Sequence, residues 1–382
     1  MQRVMVDELE SGMVIARTVI GSDGRALLME NTVLSQIYIE RLCLLGLQSV
    51  YIKDGLTDID IPEVVSQQVR SAVSDTLSRS LKQFSSTRAL DIRNLRKVVS
   101  LLLDEIISNH NTLIHVDDIR THDDYLLLHS LNVAILSMMT GLTLGYDEGK
   151  LMDLGLGALL HDIGMIMIDP KTINKAGGLT PDECEEVKKH PEIGFNILRT
   201  SREIPTRVTH IAYQHHEKVD GTGYPRQLER KTILDYALIT AVADTFDAVT
   251  ADRPFRKGYT TTDALIILKK LVNTYFDPEI VAAFSSNIAM YPVGSLISLN
   301  TGHIAVVTSA TKLNATRPQV YVVSDNKYNL IYPPFDIDLQ KTNDVGIVKR
   351  LNDEEVDKVR CQLGIPKNPV QNDIVEQQYA SI

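Results

Sequence analysis

A histidine followed by an aspartate, His161-Asp162, closes the apolar run Leu156-Gly157-Ala158-Leu159-Leu160 and constrains this chain more than any other feature. Burying an imidazole and a carboxylate side by side is costly unless something binds them, and a metal ion is the usual partner. One His-Asp pair occurs by chance in many chains. Here it is accompanied by His129 upstream and by His190, His215, His216 and Asp244 downstream. These seven side chains exceed what one tetrahedral ion can use. Neighbours on a helix point about 100° apart, so the adjacent pairs 161–162 and 215–216 suit two ions better than one. Asp162, whose two oxygens can each take a cation, is the natural bridge. Two ions about 3.5–4 Å apart can share a hydroxide, hold a phosphate between them and stabilise an in-line displacement. Five imidazoles and two carboxylates form a nitrogen-rich donor set that favours Fe, Mn, Co, Ni or Zn over Mg or Ca. A lone buried histidine is more often satisfied by hydrogen bonds, and Asp244 taken alone is a plain helix carboxylate. The array carries the inference, not any one member. His110, His115, His122, His210 and His303 fit as ordinary polar or core residues.

A chain of 382 residues is too long for one ordinary core, so two or three domains are expected. The net charge of −10 argues against a general binder of nucleic acid polymers, which needs a basic face. An anionic ligand therefore requires a local positive patch or metal cations. The apolar stretch 126–144 carries His129 and Asn132 and reads as a buried helix, so no membrane insertion is expected. The N-terminus lacks the basic-then-apolar layout of a signal peptide. Cys43, Cys184 and Cys361 have no paired spacing and read as reduced thiols of a cytoplasmic protein.

Residues 1–58 read as a small mixed α/β domain. Strands over 13–19 and 25–28 flank Ser22-Asp23-Gly24, a hairpin signal. Ser35 can cap a helix that Gly46 ends, and Val50-Tyr51-Ile52 reads as a further strand. The module suits sensing or docking, and equally suits a scaffold that only packs on its neighbour. Residues 59–115 read as a helical linker opened by Pro62. Val65, Val69, Val73, Leu77 and Leu81 form a narrow apolar stripe, which fits a connecting helix or a dimerisation seam. A second stripe runs through Ile92, Leu95, Val99, Leu102 and Ile106. Residues 116–288 are helix after helix, the last capped by Asp277 with Pro278 at its first position. Residues 289–382 turn to strands, with Asn300-Thr301-Gly302 as a hairpin turn, and end in a polar tail. The fold class expected is multidomain α+β, an all-α core between small β-rich terminal regions.

Several segments together resemble the HD-GYP family. They are His161-Asp162-Ile163-Gly164, Lys189-His190-Pro191-Glu192 and His215-His216-Glu217-Lys218-Val219-Asp220-Gly221-Thr222-Gly223-Tyr224-Pro225. Ala243-Asp244-Thr245-Phe246-Asp247, Asp252-Arg253-Pro254-Phe255-Arg256 and the upstream His129-Ser130-Leu131-Asn132 extend the match, which covers about residues 120 to 285. The resemblance implies a helical HD domain of the metal-dependent phosphohydrolase superfamily, usually loaded with iron or manganese. The activity implied is hydrolysis of cyclic di-GMP to pGpG or GMP through a metal-bridging hydroxide. Carried over by position, one ion takes His129, His161, Asp162 and Asp244, and the other takes Asp162, His190, His215 and His216. Some members add a third ion through a Glu one turn before the first histidine; here that position is Tyr125, so two ions are expected. Asp162 is then the catalytic carboxylate. Gly223 and Tyr224 lie by the substrate cleft in a loop linked to partner contacts, GGDEF-type or other signalling proteins among them. Arg253, Arg256 and Lys257 are the candidates to neutralise substrate phosphates, and a homodimer is expected.

One departure matters. The family commonly has Lys three residues after the central Asp, where this chain has Met165, which neither donates a hydrogen bond nor carries charge. Lys171 or Lys175 can substitute from the following loop. The alternatives to hydrolysis of cyclic di-GMP are a weak or inactive enzyme serving as its receptor, and a phosphodiesterase for a related dinucleotide such as cyclic GMP-AMP.

Overall fold

The computed structural model describes residues 2–6, 9–20, 26–45, 47, 49–53, 62–114, 125–173, 175, 177–251 and 258–362. They fall into two compact units. One holds Met1–Glu63, Asn111–Leu113 and Ala289–Ile382; the other holds Val64–His110 and Ile114–Ile288. The two terminal stretches, separate in the sequence reading, thus cluster in one unit, and most of the expected linker belongs to the helical one.

In the first unit β1 (Gln2–Met5) pairs antiparallel with β4 (Ser49–Ile52), and β2 (Val19–Ile20) with β3 (Ala26–Leu28). Helix α1 (Gln36–Leu44) starts as expected, with the Ser35 hydroxyl accepting the amide of Tyr38. The expected turn at 22–24 and the expected stop at Gly46 lie outside the described residues. The C-terminal stretch forms an antiparallel sheet ordered β8-β7-β6-β5-β9 and ends in α13 (Asp353–Gln362). Its strands are β5 (Leu296–Leu299), β6 (His303–Ser309), β7 (Gln319–Asp325), β8 (Leu330–Asp338) and β9 (Ile347–Arg350). Gly302 makes the β5–β6 turn at φ 82°, a backbone region glycine enters without strain. Tyr51 joins Val293, Ile297 and Val320 in one apolar cluster, so the two stretches share a core.

The second unit is all helical. It begins with α2 (Gln67–Thr87), not at Pro62. Ser66 sets that start: its hydroxyl oxygen accepts the amide of Val69, while the Glu105 carboxylate accepts both the Ser66 amide (2.6 Å) and hydroxyl (2.7 Å). Such caps satisfy first-turn groups that have no intrahelical partner. The stripe read as a connecting helix or dimer seam packs within the unit, with Val65, Val73 and Leu77 buried and Val69 and Leu81 partly buried against the same core. Helix α3 (Ile92–Ser108) buries the whole second stripe. Then follow α4 (Tyr125–Thr143), α5 (Glu148–Leu159), α6 (Pro170–Ile173), α7 (Pro181–Val187), α8 (His190–Leu198) and α9 (Thr206–Gln214). The unit ends with α10 (Asp235–Thr250), α11 (Thr261–Lys270) and α12 (Pro278–Ser285), the last capped by Asp277 as expected. Among the described residues one stretch, Leu126–Thr143 of α4, is long and apolar enough to cross a membrane; 72% of it is buried inside the unit, as a core helix would be.

Candidate metal centre

Histidines and carboxylates from five places in the helical unit meet at one point. His129 projects from the second turn of α4 and Asp244 from α10. The other five lie at helix ends. His161 and Asp162 follow the last turn of α5, His190 opens α8 just beyond α7, and His215 and His216 follow α9. The adjacent pairs are therefore not neighbours within a helix, as the 100° argument supposed, but residues of the turns that leave one.

Those positions decide which ring nitrogen is available. The last four carbonyls of a helix have no intrahelical donor. His161 Nδ1 bonds the Ala158 carbonyl (2.8 Å), His190 Nδ1 that of Val187 (2.6 Å), and His215 Nδ1 that of Ala212 (3.0 Å). Each carbonyl belongs to a final turn, and a carbonyl can only accept, so Nδ1 carries the proton and Nε2 presents a lone pair. His129 sits inside α4, where the backbone carbonyls accept helix amides. Its Nδ1 instead meets Asp247 Oδ2 at 2.6 Å, and Asn132 Nδ2 donates to Asp247 Oδ1 at 3.0 Å.

The donors gather in two groups: His129, His161 and Asp244, and Asp162, His190, His215 and His216, with all ligand atoms of a group within 4.8 Å of one another. Asp162 serves both. Its Oδ2 faces His161 Nε2 (3.5 Å) and His129 Nε2 (3.8 Å), while its Oδ1 faces His190 Nε2 (3.2 Å) and His215 Nε2 (3.5 Å). His129 Nε2 is 3.1 Å from Asp244 Oδ1. Donors held about 2.0–2.2 Å from one cation stand roughly 3.0–3.6 Å from each other, close to these spacings.

The residues fit a metal on two further grounds. His161 Nε2 is fully buried with no hydrogen-bond partner. His190 and His215 point Nε2 at Nε2 across 3.3 Å with both Nδ1 protons spent on carbonyls. Two facing lone pairs repel unless a cation or proton lies between them.

Electrostatics point the same way. Burial pushes His161 down to about 4, against the pull of Asp162 and helped by the neighbouring imidazoles, so it is neutral at pH 7. Burial likewise holds His216 well below the ordinary histidine value. For Asp162 burial acts upward, but His161, His190 and His215 outweigh it and keep the carboxylate anionic. Asp244 is lowered in the same way, its burial outweighed by His129. His190 is raised, its burial outweighed by the hydrogen bond and charge of Asp162. Asp247 is raised by burial, opposed by His129 and Asn132. Asp162, Asp244 and His216 are the partly exposed members, so solvent reaches the cluster past them.

Beside it lies the Gly-Tyr-Pro loop. A β-carbon on Gly223 would collide with the backbone of residues 216–218, which explains the glycine. Tyr224 stacks on His216 with ring centroids 4.8 Å apart and planes at 23°. Burial, then the charges of Asp244 and Asp162, push its phenol upward, so it stays protonated. The loop is tied down by Glu217, itself 2% exposed, whose carboxylate accepts the amides of Arg226 (2.7 Å) and Leu228 (2.9 Å).

Arg253, Arg256 and Lys257 lie outside the described residues, as does the Tyr125 side chain. Met165 sits in the 3-10 turn Ile163–Met167, its amide bonded to the Asp162 carbonyl, one turn beyond the central carboxylate. Of the lysines expected to substitute for it, Lys175 is paired with Glu183 (2.7 Å) and Lys171 is exposed. Sequence reasoning missed the roles of Asn132, Asp247 and Glu217. A signal existed: Asn132 and Asp247 each stand three residues after a ligand on the same helix, hence on the same face.

Residues 101–280 match the family model of the HD domain, and residues 296–359 that of a KOW domain associated with the HD domain. A cyclic di-GMP phosphodiesterase of Pseudomonas aeruginosa is 31% identical over 66% of this chain and 61% of its own length. Another, of Borreliella burgdorferi, is 28% identical over 62% of each chain. The chain thus spans about three fifths of the length of these curated relatives. Among solved structures, an HDG"Y"P protein of Bdellovibrio bacteriovorus aligns with 74% of this chain and 98% of its own at a TM-score of 0.50 and 19% identity, a likeness of fold.

Proposed function

We propose that the chain belongs to the HD domain family, in its HD-GYP branch, and is a metal-dependent phosphodiesterase hydrolysing cyclic di-GMP to pGpG or GMP. The observation that carries this reading is the division of Asp162, one oxygen toward His129 and His161, the other toward His190 and His215.

His129, His161, Asp162 and Asp244 would hold one ion, and Asp162, His190, His215 and His216 the other. Divalent transition ions, Fe or Mn, supply Lewis-acid charge at a phosphodiester and water made nucleophilic at neutral pH. The chain does the rest. Asp162 stays anionic in its ring of imidazoles, which keeps both of its oxygens as donors. The helix-end carbonyls hold three of those imidazoles with Nε2 turned inward. Tyr224, a protonated phenol beside His216, is a hydrogen-bond donor at the rim of the site. Arg253, Arg256 and Lys257 neutralise substrate phosphates, a need sharpened by the net charge of −10. The test is to incubate protein loaded with Mn or Fe with cyclic di-GMP and separate the nucleotides. Release of pGpG or GMP is expected; neither product across several metals rejects the proposal.

Met165 favours a second reading, a receptor that binds cyclic di-GMP without turning it over. Tight binding without hydrolysis, with Met165→Lys restoring turnover, would select it, and a panel including cyclic GMP-AMP tests the choice of dinucleotide. Cytoplasmic placement, contacts to signalling proteins through the Gly-Tyr-Pro loop and a homodimer belong to the same proposal. A monomeric mass in solution removes the dimer.

A further inference from the structure

We propose that Asp247, held by Asn132, is a positioning residue that makes the His129–His161–Asp244 half of the centre the tighter of the two metal sites. The inference rests on the metal centre assigned above, and not on the substrate.

His129 is the ligand histidine that the fold cannot serve from a helix end. In the second turn of α4 the helix carbonyls beside it already accept helix amides, and a side chain takes its Nδ1 proton. Asp247 does so from α10, one turn beyond Asp244. Asn132, one turn beyond His129 on α4, fills the other oxygen of Asp247. Two helices therefore cross through paired positions three residues apart: the first member of each pair would ligate the ion, and the second members stand behind His129, Asp247 directly and Asn132 through Asp247. All three braced groups are nearly inaccessible, with His129 4%, Asn132 5% and Asp247 3% exposed.

A carboxylate behind an imidazole fixes its tautomer and makes Nε2 a stronger donor than a neutral carbonyl does. The consequence is asymmetric. The His129 side combines Asp244, its share of Asp162 and the outer charge of Asp247, whereas the other side has its share of Asp162 and three imidazoles, two of them backed by carbonyls. More negative charge around a divalent ion means a tighter site.

Asp247→Asn removes that charge and one acceptor. If the amide turns its NH2 to His129, Nδ1 must accept, the proton moves to Nε2, and the ligand is lost; if it turns its oxygen there, only the charge is lost. Equilibrium binding of Mn(II) to metal-free full-length protein is the measurement, with His216→Ala and Asp244→Ala identifying the two sites. Wild type is expected to show two classes, the tighter one abolished by Asp244→Ala. Asp247→Asn should weaken that class roughly 10- to 100-fold and leave the other unchanged. Loss at both sites alike, no loss at either, or a tighter class abolished by His216→Ala would overturn the proposal. Should Asp247→Asn fail to fold, Asn132→Ala reads the same site through its brace, with several-fold weakening there expected and an unchanged tighter site contradicting it. Normal two-class Mn(II) binding with no hydrolysis of cyclic di-GMP would sink the enzymatic reading and leave this one standing.

Discussion

Gly164 and His190 are in backbone contact: a β-carbon on Gly164 would overlap the His190 carbonyl oxygen and come within 2.8 Å of the Gly194 amide nitrogen. That approach seats the start of α8 against the turn carrying His161 and Asp162. The glycine after the His-Asp pair is thus a packing requirement that brings His190 Nε2 to 3.2 Å from Asp162. Gly164→Ala should cost about 1–3 kcal/mol in thermal or urea unfolding and weaken Mn(II) binding at the His190 side. Wild-type stability and affinity would show that α8 tolerates displacement.

Asp162 should be the one ligand whose loss empties both sites. Metal analysis after dialysis against limiting Mn(II) is expected to give less than one ion per chain for Asp162→Ala, against about one for His216→Ala or Asp244→Ala. The rate should fall by more than the roughly 100-fold that loss of an outer partner costs.

Met165→Lys places a cation one turn beyond Asp162. If hydrolysis lacks that contact, kcat for cyclic di-GMP should rise about 10²-fold, the usual scale of one donor aimed at developing charge. A change confined to KM would assign the position to binding.

Glu217→Ala removes the anchor of the Gly-Tyr-Pro loop. Two charge-assisted bonds to the amides of Arg226 and Leu228 disappear, so a stability loss of about 2 kcal/mol or more is expected. Hydrogen exchange at those two amides should accelerate and KM should rise while Mn(II) stoichiometry holds. Unchanged exchange would show the loop is held by other means.

Chelation should lower the melting temperature, because the native state binds the ions and the unfolded chain does not. At a hundredfold excess over Kd one ion contributes about 2.7 kcal/mol, or roughly 5–10 °C for a unit of this size. A scan with and without Mn(II) checks this, and identical midpoints would contradict a bound metal.

Much of the centre was legible in the residues themselves. Donor type is a property of a side chain, so five imidazoles and two acids set which metals a site built from them would favour. The two oxygens of Asp162 made it readable as a bridge, although it and His161 lie in the turn after α5 and not within a helix. Caps at Ser35 and Asp277 were readable because a helix start is a local event, settled within four residues. The start of α2 was not local: Glu105, far along the chain, completes the cap at Ser66, so Pro62 misled.

What only the tertiary structure decided is direction. Convergence of side chains separated by up to 115 positions depends on helix crossings, and so does the division of Asp162 between two histidine pairs. Helix ends supplied the carbonyls that settle the tautomers of His161, His190 and His215, and α10 supplied Asp247 for His129, which lies within a helix. The physical reason is that a residue carries its chemistry with it, whereas a lone pair is aimed only by the partner that takes the proton on the other side of the ring.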